Sequence, residues 1–578
     1  MTMKWPLFAL FALALSLGFM RPPAEPALIW WTTHSLEKLR PFDRRPDNAA
    51  LAVKISAARN EFEPFQVVLR AEGRDIESVD VEVTELRGKG GATIPASSVS
   101  IYLERYINLA AASSDEGATG EWPDALIPRV DRYFNEKRSA LPVKLVHDRT
   151  QPVWIDVYVP VSASPGLYQG QIRVSSGGTS HASIPLELEV WNFQLPSTSS
   201  LPTTFGFSGN TAVRAHRGKY TSDDDIGALT SLYQKAALLH RMTLDTSAGL
   251  APLVKAAGND VQIDWTHYDR FIGPIMNGLL FPQGQPLQGA RATSVALHTP
   301  RSLTTPEQQI EFWRKTAQHF RDKGWFDRLF HYLWDEPKAA DYPAMIALGR
   351  VVRRADPAVR NLVTAPLNPE WSDFMDIWSP LINCFERKPE HSDFCNPMVE
   401  RSAYDPEMTK RKNLWWYQSC ASHGCFIVGG DYFRGWPSYM IDTAPVRNRI
   451  MEWLTWKYGM QGELYFATNE AYVQKPDPWK DVSLFGGNGD GTLFYPGLPK
   501  IIGGTTHIPI ESMRLKLIRE GLEDYEYFTM LAKLKSPAVV TDSINGVLRS
   551  TFDFDQDPKK LYSVRDSMGR EIHKLSTH

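Results

Sequence analysis

Apolar and polar positions follow three rhythms along this chain. Lys4 precedes a mostly apolar run over residues 5–20, which ends at Arg21 and a proline-rich stretch over 22–27. The run is shorter than a membrane span and has the layout of a secretory signal, so residues 1–27 are expected to be a signal peptide, with an uncleaved anchor as the alternative. From 28 to 197 the pattern is strand-like. Residues 65–69 are largely apolar, 153–159 and 184–190 alternate as half-buried strands do, and Pro165-Gly166 and Gly177-Gly178 supply turns. This predicts an antiparallel β-sandwich over 28–197, left through the Pro- and Ser-rich stretch 195–202.

Over 198–508 helix and strand alternate. Thr305 and Pro306 open a helix over 305–323, a strand follows at 329–334, and a second helix is predicted over 338–354. Further strands are expected at 360–365, 381–385, 413–418 and 463–467, with a helix over 444–458 before the last. Repeated units of this kind predict a (β/α)8 TIM-type barrel, whose chemistry collects at the carboxyl ends of its strands. In 509–578 Met513, Leu517, Leu522, Tyr525 and Phe528 recur at helical spacing, which predicts a C-terminal helical segment packed on the barrel. Arg514 and Glu523 on that helix read as salt-bridge partners.

Length and composition narrow the function. A chain of 578 residues needs two or three domains, and a net charge of −3 gives no basic face for nucleic acid. Aromatic residues make up 11% of the chain, 18 of them Trp, which suits stacking on sugar rings as well as core packing. No second segment reads as transmembrane, so no membrane contact is expected beyond the signal, and nothing in the pattern specifies an oligomeric state. The four cysteines, Cys384, Cys395, Cys420 and Cys425, are confined to one short region. In an exported protein they point to two local disulfides, 384 to 395 and 420 to 425 being the simplest of three pairings. A metal site using His423 between Cys420 and Cys425 is the alternative, but the spacing matches no standard zinc pattern.

The densest chemistry is Trp334-Asp335-Glu336-Pro337, at the end of the 329–334 strand. Two adjacent carboxylates beside a Trp suit a glycosidase, in which one acid protonates the leaving oxygen while its neighbour steers the attacking group. The same residues suit a helix start, with Pro337 at the first position and an acid as N-cap. Side chains on an extended strand alternate in direction, so both acids reach one sugar only if the strand bends or ends there. Elsewhere, Trp415, Trp416 and Tyr417 follow a strand candidate and would wall a sugar pocket, or else be two core aromatics and an exposed tyrosine. Asp490, in a glycine-rich loop, is either a hydroxyl acceptor or part of an ordinary turn. Asp431, after the strand-like residues 426–428, is a weaker pocket candidate. Glu463 starts a strand, the wrong end for catalysis, and reads as structural.

Several segments in order resemble glycoside hydrolase family 123, whose known members are β-N-acetylgalactosaminidases. They are residues 58–66 and 151–156 near the start, 332–337 in the centre, 413–417, 453–459 and 489–497 beyond it, and 510–515 with 519–527 near the end. The resemblance implies that Glu336 is the general acid and that Asp335 orients the substrate's own 2-acetamido group, whose carbonyl oxygen attacks the anomeric carbon. It implies a carbohydrate substrate and no metal or cofactor. The role asks Glu336 to hold a proton, which partial burial beside Trp334 and the charge of Asp335 would favour. The expectation is therefore a secreted or periplasmic, retaining hydrolase that removes β-linked N-acetylhexosamine, N-acetylgalactosamine first among them. The alternatives are a glycosidase for another glycan, with Asp431 or Asp490 completing a conventional carboxylate pair, and a carbohydrate-binding protein without turnover.

Overall fold

The computed structural model describes residues 1–2, 27–410, 412–425 and 429–576. Most of the expected signal peptide, residues 3–26, and the strand-like stretch 426–428 lie outside the described residues. Among the described residues no helix is long and apolar enough to cross a membrane.

The N-terminal region builds two seven-stranded sheets. The first runs in the order Ala27–His34, Glu61–Glu72, Thr150–Val159, Val99–Leu109, Gly120–Pro128, Ile508–Ser512, Phe494–Gly497, with every neighbour antiparallel. The second is built on the long pair Gly166–Ser176 and Thr179–Gln194. Along Thr179–Gln194, Ala182, Ile184, Leu186, Leu188 and Val190 are buried while Ser183, Pro185 and Glu189 face water, the period-two pattern of a sheet wetted on one side that ends at the buried Trp191. These side chains meet Val67, Leu69, Val153, Ile155 and Val157 from the first sheet in one apolar core.

Two features depart from the sequence expectation. Strand Val53–Arg59 pairs with Thr179–Gln194 in parallel, so the second sheet is mixed rather than purely antiparallel. The first sheet also takes two strands from the far end of the chain, Phe494–Gly497 and Ile508–Ser512, so the expected boundary between 508 and 509 falls inside a strand.

The central region contributes two all-parallel sheets. The four-stranded one has the order Leu244–Thr246, Thr203–Ser208, Glu463–Tyr465, Trp416–Tyr417, and the five-stranded one Val295–Leu297, Leu329–Trp334, Arg360–Val363, Ile377–Trp378, Asn413–Leu414. Ala296, Phe330, Leu362 and Ile377 from the second meet Tyr417 and Leu464 from the first, and Trp415 from the link between the two, in a common core. Helix Pro306–Asp322 forms where predicted, and Thr305 and Gln308 close a capping box at its start. The helix predicted over 338–354 begins later, at Tyr342–Ala355, after the short turn Ala339–Asp341. The strand expected at 381–385 is instead a 3-10 turn, Ile382–Cys384, and the chain pairs at Ile377–Trp378.

Helix Met513–Leu534 forms where its apolar spacing predicts, and Arg514 and Glu523 are ion-paired as expected. Arg514, Lys516, Arg519, Glu520, Glu523, Asp524 and Glu526 are buried along with its apolar positions. Their partners come from remote parts of the chain. Arg514 donates to both oxygens of Asp124 (2.9 and 2.8 Å), Lys516 and Arg519 to Asp156 (2.8 to 3.1 Å), and Arg241 to Glu523 (3.0 Å). Arg449 grips Asp524 at 2.8 Å, and Arg565, on helix Pro558–Leu575, bridges Glu61 and Glu63 at 2.5 and 2.6 Å. Buried ion pairs return little net stability once desolvation is counted, and here they join the N-terminal strands that carry Asp124, Asp156, Glu61 and Glu63 to the C-terminal helices.

Candidate active site

Strand Leu329–Trp334 sends Phe330 and Tyr332 to the inside of the parallel strands and Leu329, His331 and Leu333 outward. Its register against Arg360–Val363 then shifts between Tyr332 and Trp334, and Glu336 takes a left-handed backbone conformation with φ +42°. A bulge followed by a positive φ breaks the alternation that would aim adjacent side chains apart. Asp335 and Glu336 consequently border the same cavity, of about 780 Å³, and both are exposed to it.

Their partners differ. The hydroxyls of Tyr332 and Thr364 donate to Asp335 Oδ1 at 3.0 and 2.8 Å, and Thr364 Oγ1 accepts from the Glu336 N–H at 2.6 Å. The Tyr417 hydroxyl donates a short hydrogen bond to Glu336 Oε1. Burial, and then the neighbouring carboxylate, push both tyrosines well above their ordinary pKa, so they remain donors at any working pH. Among the described residues neither acid has an ion pair. Neither caps a helix: Asp341 accepts the Lys338 N–H at 2.9 Å, and the helix after it starts without help from the pair.

The rest of the wall comes from other strand ends. His298, just past Val295–Leu297, stands 5.3 Å from the Tyr332 ring, and Asp245 lies on Leu244–Thr246. Asp490 accepts from the Tyr465 hydroxyl (3.1 Å) and the Cys420 N–H (3.3 Å), and burial pushes its carboxyl up to about 7. Cys420 and Cys425 also border the cavity, joined as a disulfide, and Cys384 pairs with Cys395. The Cys420, His423 and Cys425 ligand atoms lie within 4.8 Å of one another, but a disulfide leaves no thiolates to hold a metal ion.

Four of the residues expected at the site stand elsewhere. Trp334, beyond the bulge, is half-buried and packs on the large core behind the strands. Trp415 points inward but lies beneath the cavity against Phe330, ring centroids 5.6 Å apart, in space that Gly462 leaves open. Trp416 points outward and donates from Nε1 to Thr455 Oγ1 at 3.0 Å. Asp431 is exposed away from the cavity, paired with Arg434 at 3.2 Å. Of the expected set, the cavity brings together Asp335, Glu336, Tyr417 and Asp490. Tyr332, Thr364, His298 and Asp245 are not singled out by the sequence, and their common signal is a polar residue within two positions of the end of a parallel strand.

Residues 299–531 match the sequence model of the glycoside hydrolase 123 catalytic domain, and residues 39–176 match that of the glycoside hydrolase 123 N-terminal domain. Together they span more than half of the chain. The chain belongs to glycoside hydrolase family 123. This family 123 hydrolase is also similar in fold to a family 123 glycoside hydrolase from Clostridium perfringens, studied for glycolipid glycan hydrolysis. The identity is 14% over 95% of this chain and 99% of that one, with a TM-score of 0.68. A family 5 xyloglucanase from Bacteroides ovatus matches with a TM-score of only 0.28, at 10% identity over 82% of this chain and 98% of that one. No curated protein matches.

Proposed function

We propose that this hydrolase is exported and removes β-linked N-acetylhexosamine, N-acetylgalactosamine first among them, from glycans with retention of configuration and with the substrate's acetamide as nucleophile. We read the two parallel sheets as one (β/α)8 barrel with the site at its carboxyl end, and the N-terminal pair as a β-sandwich. The observation that carries the mechanism is that the adjacent Asp335 and Glu336 open into one cavity with separate supports. Tyr332 and Thr364 both engage Asp335 Oδ1, so Oδ2 is available to accept the acetamide N–H and turn its carbonyl oxygen toward the anomeric carbon. That oxygen bonds to the carbon as the glycosidic bond breaks, and Glu336 gives its proton to the departing oxygen. Glu336 then takes a proton from water, whose oxygen adds to the anomeric carbon of the resulting oxazolinium ring, its N–H proton still shared with Asp335, and the ring opens to restore the acetamide. Two displacements leave the configuration unchanged.

A conventional carboxylate nucleophile is less well supported. Asp431 is outside the cavity, and Asp490, raised to about 7 by burial with both oxygens engaged, is a poor nucleophile. Two disulfides suit an oxidising compartment, and the glycolipid glycans of the Clostridium perfringens relative are the first natural substrates to try. The test is hydrolysis of a β-N-acetylgalactosaminide. Wild type should turn it over, and Glu336→Gln should lose roughly 10³-fold or more in kcat; full activity in that variant would end the proposal.

A further inference from the structure

Two large apolar side chains border the cavity while exposed, Phe466 at 37% and Phe485 at 59%. Phe466 follows strand Glu463–Tyr465 and rests on the Tyr465 ring at 5.4 Å, and the two Phe rings are 6.1 Å apart at an interplanar angle of 63°. Phe485 stands at the tip of a hairpin. Ser483–Leu484 pairs with Gly487–Asn488, and the two residues between them, Phe485 and Gly486, have φ of +51° and +87°. Positive φ at both positions is the type I′ pattern, whose first position favours Asn, Asp or Gly and strains a bulky side chain. The hairpin lies directly on the Cys420–Cys425 disulfide, where a Cβ on Gly487 would overlap both sulfurs. A strained, exposed aromatic ring is thus held at the mouth of the cavity on a cross-linked base, where a small polar residue would fold more easily.

We propose that Phe466 and Phe485 form a stacking subsite for the pyranose ring next to the one removed, on the leaving-group side of the scissile bond. This rests on the reading of Asp335 and Glu336 given above. The strand-end residues around that pair receive the sugar that is cleaved, so the exposed rings at the mouth meet what stays attached to it. Glu470, beside Phe466 in the same wall, supplies a hydroxyl acceptor next to the rings. Apolar faces with an adjacent carboxylate suit the amphipathic surface of a sugar better than a hydrocarbon chain.

Phe485→Asn tests the assignment, because Asn relaxes the turn while removing the ring, and Phe485→Tyr keeps the ring. Each is compared with wild type on a methyl β-N-acetylgalactosaminide and on the same sugar β-linked to lactose. The kcat/KM ratio of trisaccharide to methyl glycoside should fall about tenfold in Phe485→Asn and hold in Phe485→Tyr. The melting temperature of Phe485→Asn should equal or exceed that of wild type. An unchanged ratio in Phe485→Asn overturns the subsite, whatever the melting temperature does. Failure of wild type to hydrolyse either compound overturns the reading of the acid pair instead, and the subsite with it.

Discussion

The acids of the cavity and the acids beneath helix Met513–Leu534 are the same residue types with opposite surroundings. Asp335 and Glu336 are exposed and held by the hydroxyls of Tyr332, Thr364 and Tyr417. Asp156, Glu523 and Asp524 are sealed from water and held by Lys516, Arg519, Arg241 and Arg449. A neutral donor orients a carboxylate without forbidding a proton, whereas a cation in contact favours the charged form against burial, and it holds Asp156 well below the ordinary carboxylate range although burial still raises Glu523. Burial alone would raise Glu511, for example, yet Lys516 and His240 outweigh it and hold that carboxyl down at about 2. The ion-paired acids therefore belong to the structural lattice, and the acids proposed to act are held by hydroxyls, with no ion pair among the described residues.

The contrast breaks most sharply at Asp335. Asp335→Asn should lose about 10² to 10³ in kcat with an unchanged melting temperature, because no cation is left unpaired by it. Unfolding of that variant would make Asp335 part of the lattice. The reverse holds for Arg565→Met, which strands Glu61 and Glu63 in the core. It should cost about 3 kcal/mol of stability, read from denaturant midpoints, with kcat of the folded enzyme unchanged.

A smaller effect separates a third class of acid. Glu452 and Glu463 are buried against each other without a cation in direct contact, and Glu463 takes a hydrogen bond from Tyr439 at 2.5 Å. Burial raises both, Glu463 to about 7. A carboxyl raised in the folded state binds protons that the unfolded chain has released, so stability falls as pH rises from the ordinary carboxylate range through about 7. Glu463→Gln should flatten that fall, a gain on the order of 2 kcal/mol at pH 8 relative to wild type. An unaltered pH profile would show that the pair does not hold a proton.

Local pattern carried much of this architecture. The alternation at 184–190, the capped helix at Thr305 and the strand at 329–334 are set by neighbours in sequence and stand where their spacing puts them. What the pattern hides is pairing across the chain. Nothing near residue 53 announces a parallel partner at Thr179–Gln194, and nothing near 508 announces a place beside Gly120–Pro128. Arg514 and Glu523 on Met513–Leu534 read as salt-bridge partners, but their partners and their burial stay hidden because Asp124 and Arg241 lie hundreds of positions away. At the site, Asp335 and Glu336 stood out as adjacent acids at a strand end. Thr364, His298 and Asp245 are single polar residues, and only the closeness of strand ends in space gives them a common cavity. Period two places Trp415 and Trp416 on opposite faces but says nothing of depth, which puts Trp415 below the cavity.

The central claim is that Asp335 steers the substrate's own acetamide, and a thiazoline mimic of the oxazoline intermediate tests it most directly. The account predicts competitive inhibition at least about 10²-fold tighter than binding of the matching N-acetylgalactosaminide, and loss of most of that advantage in Asp335→Asn. A wild-type enzyme that hydrolyses the glycoside yet ignores the thiazoline would contradict it.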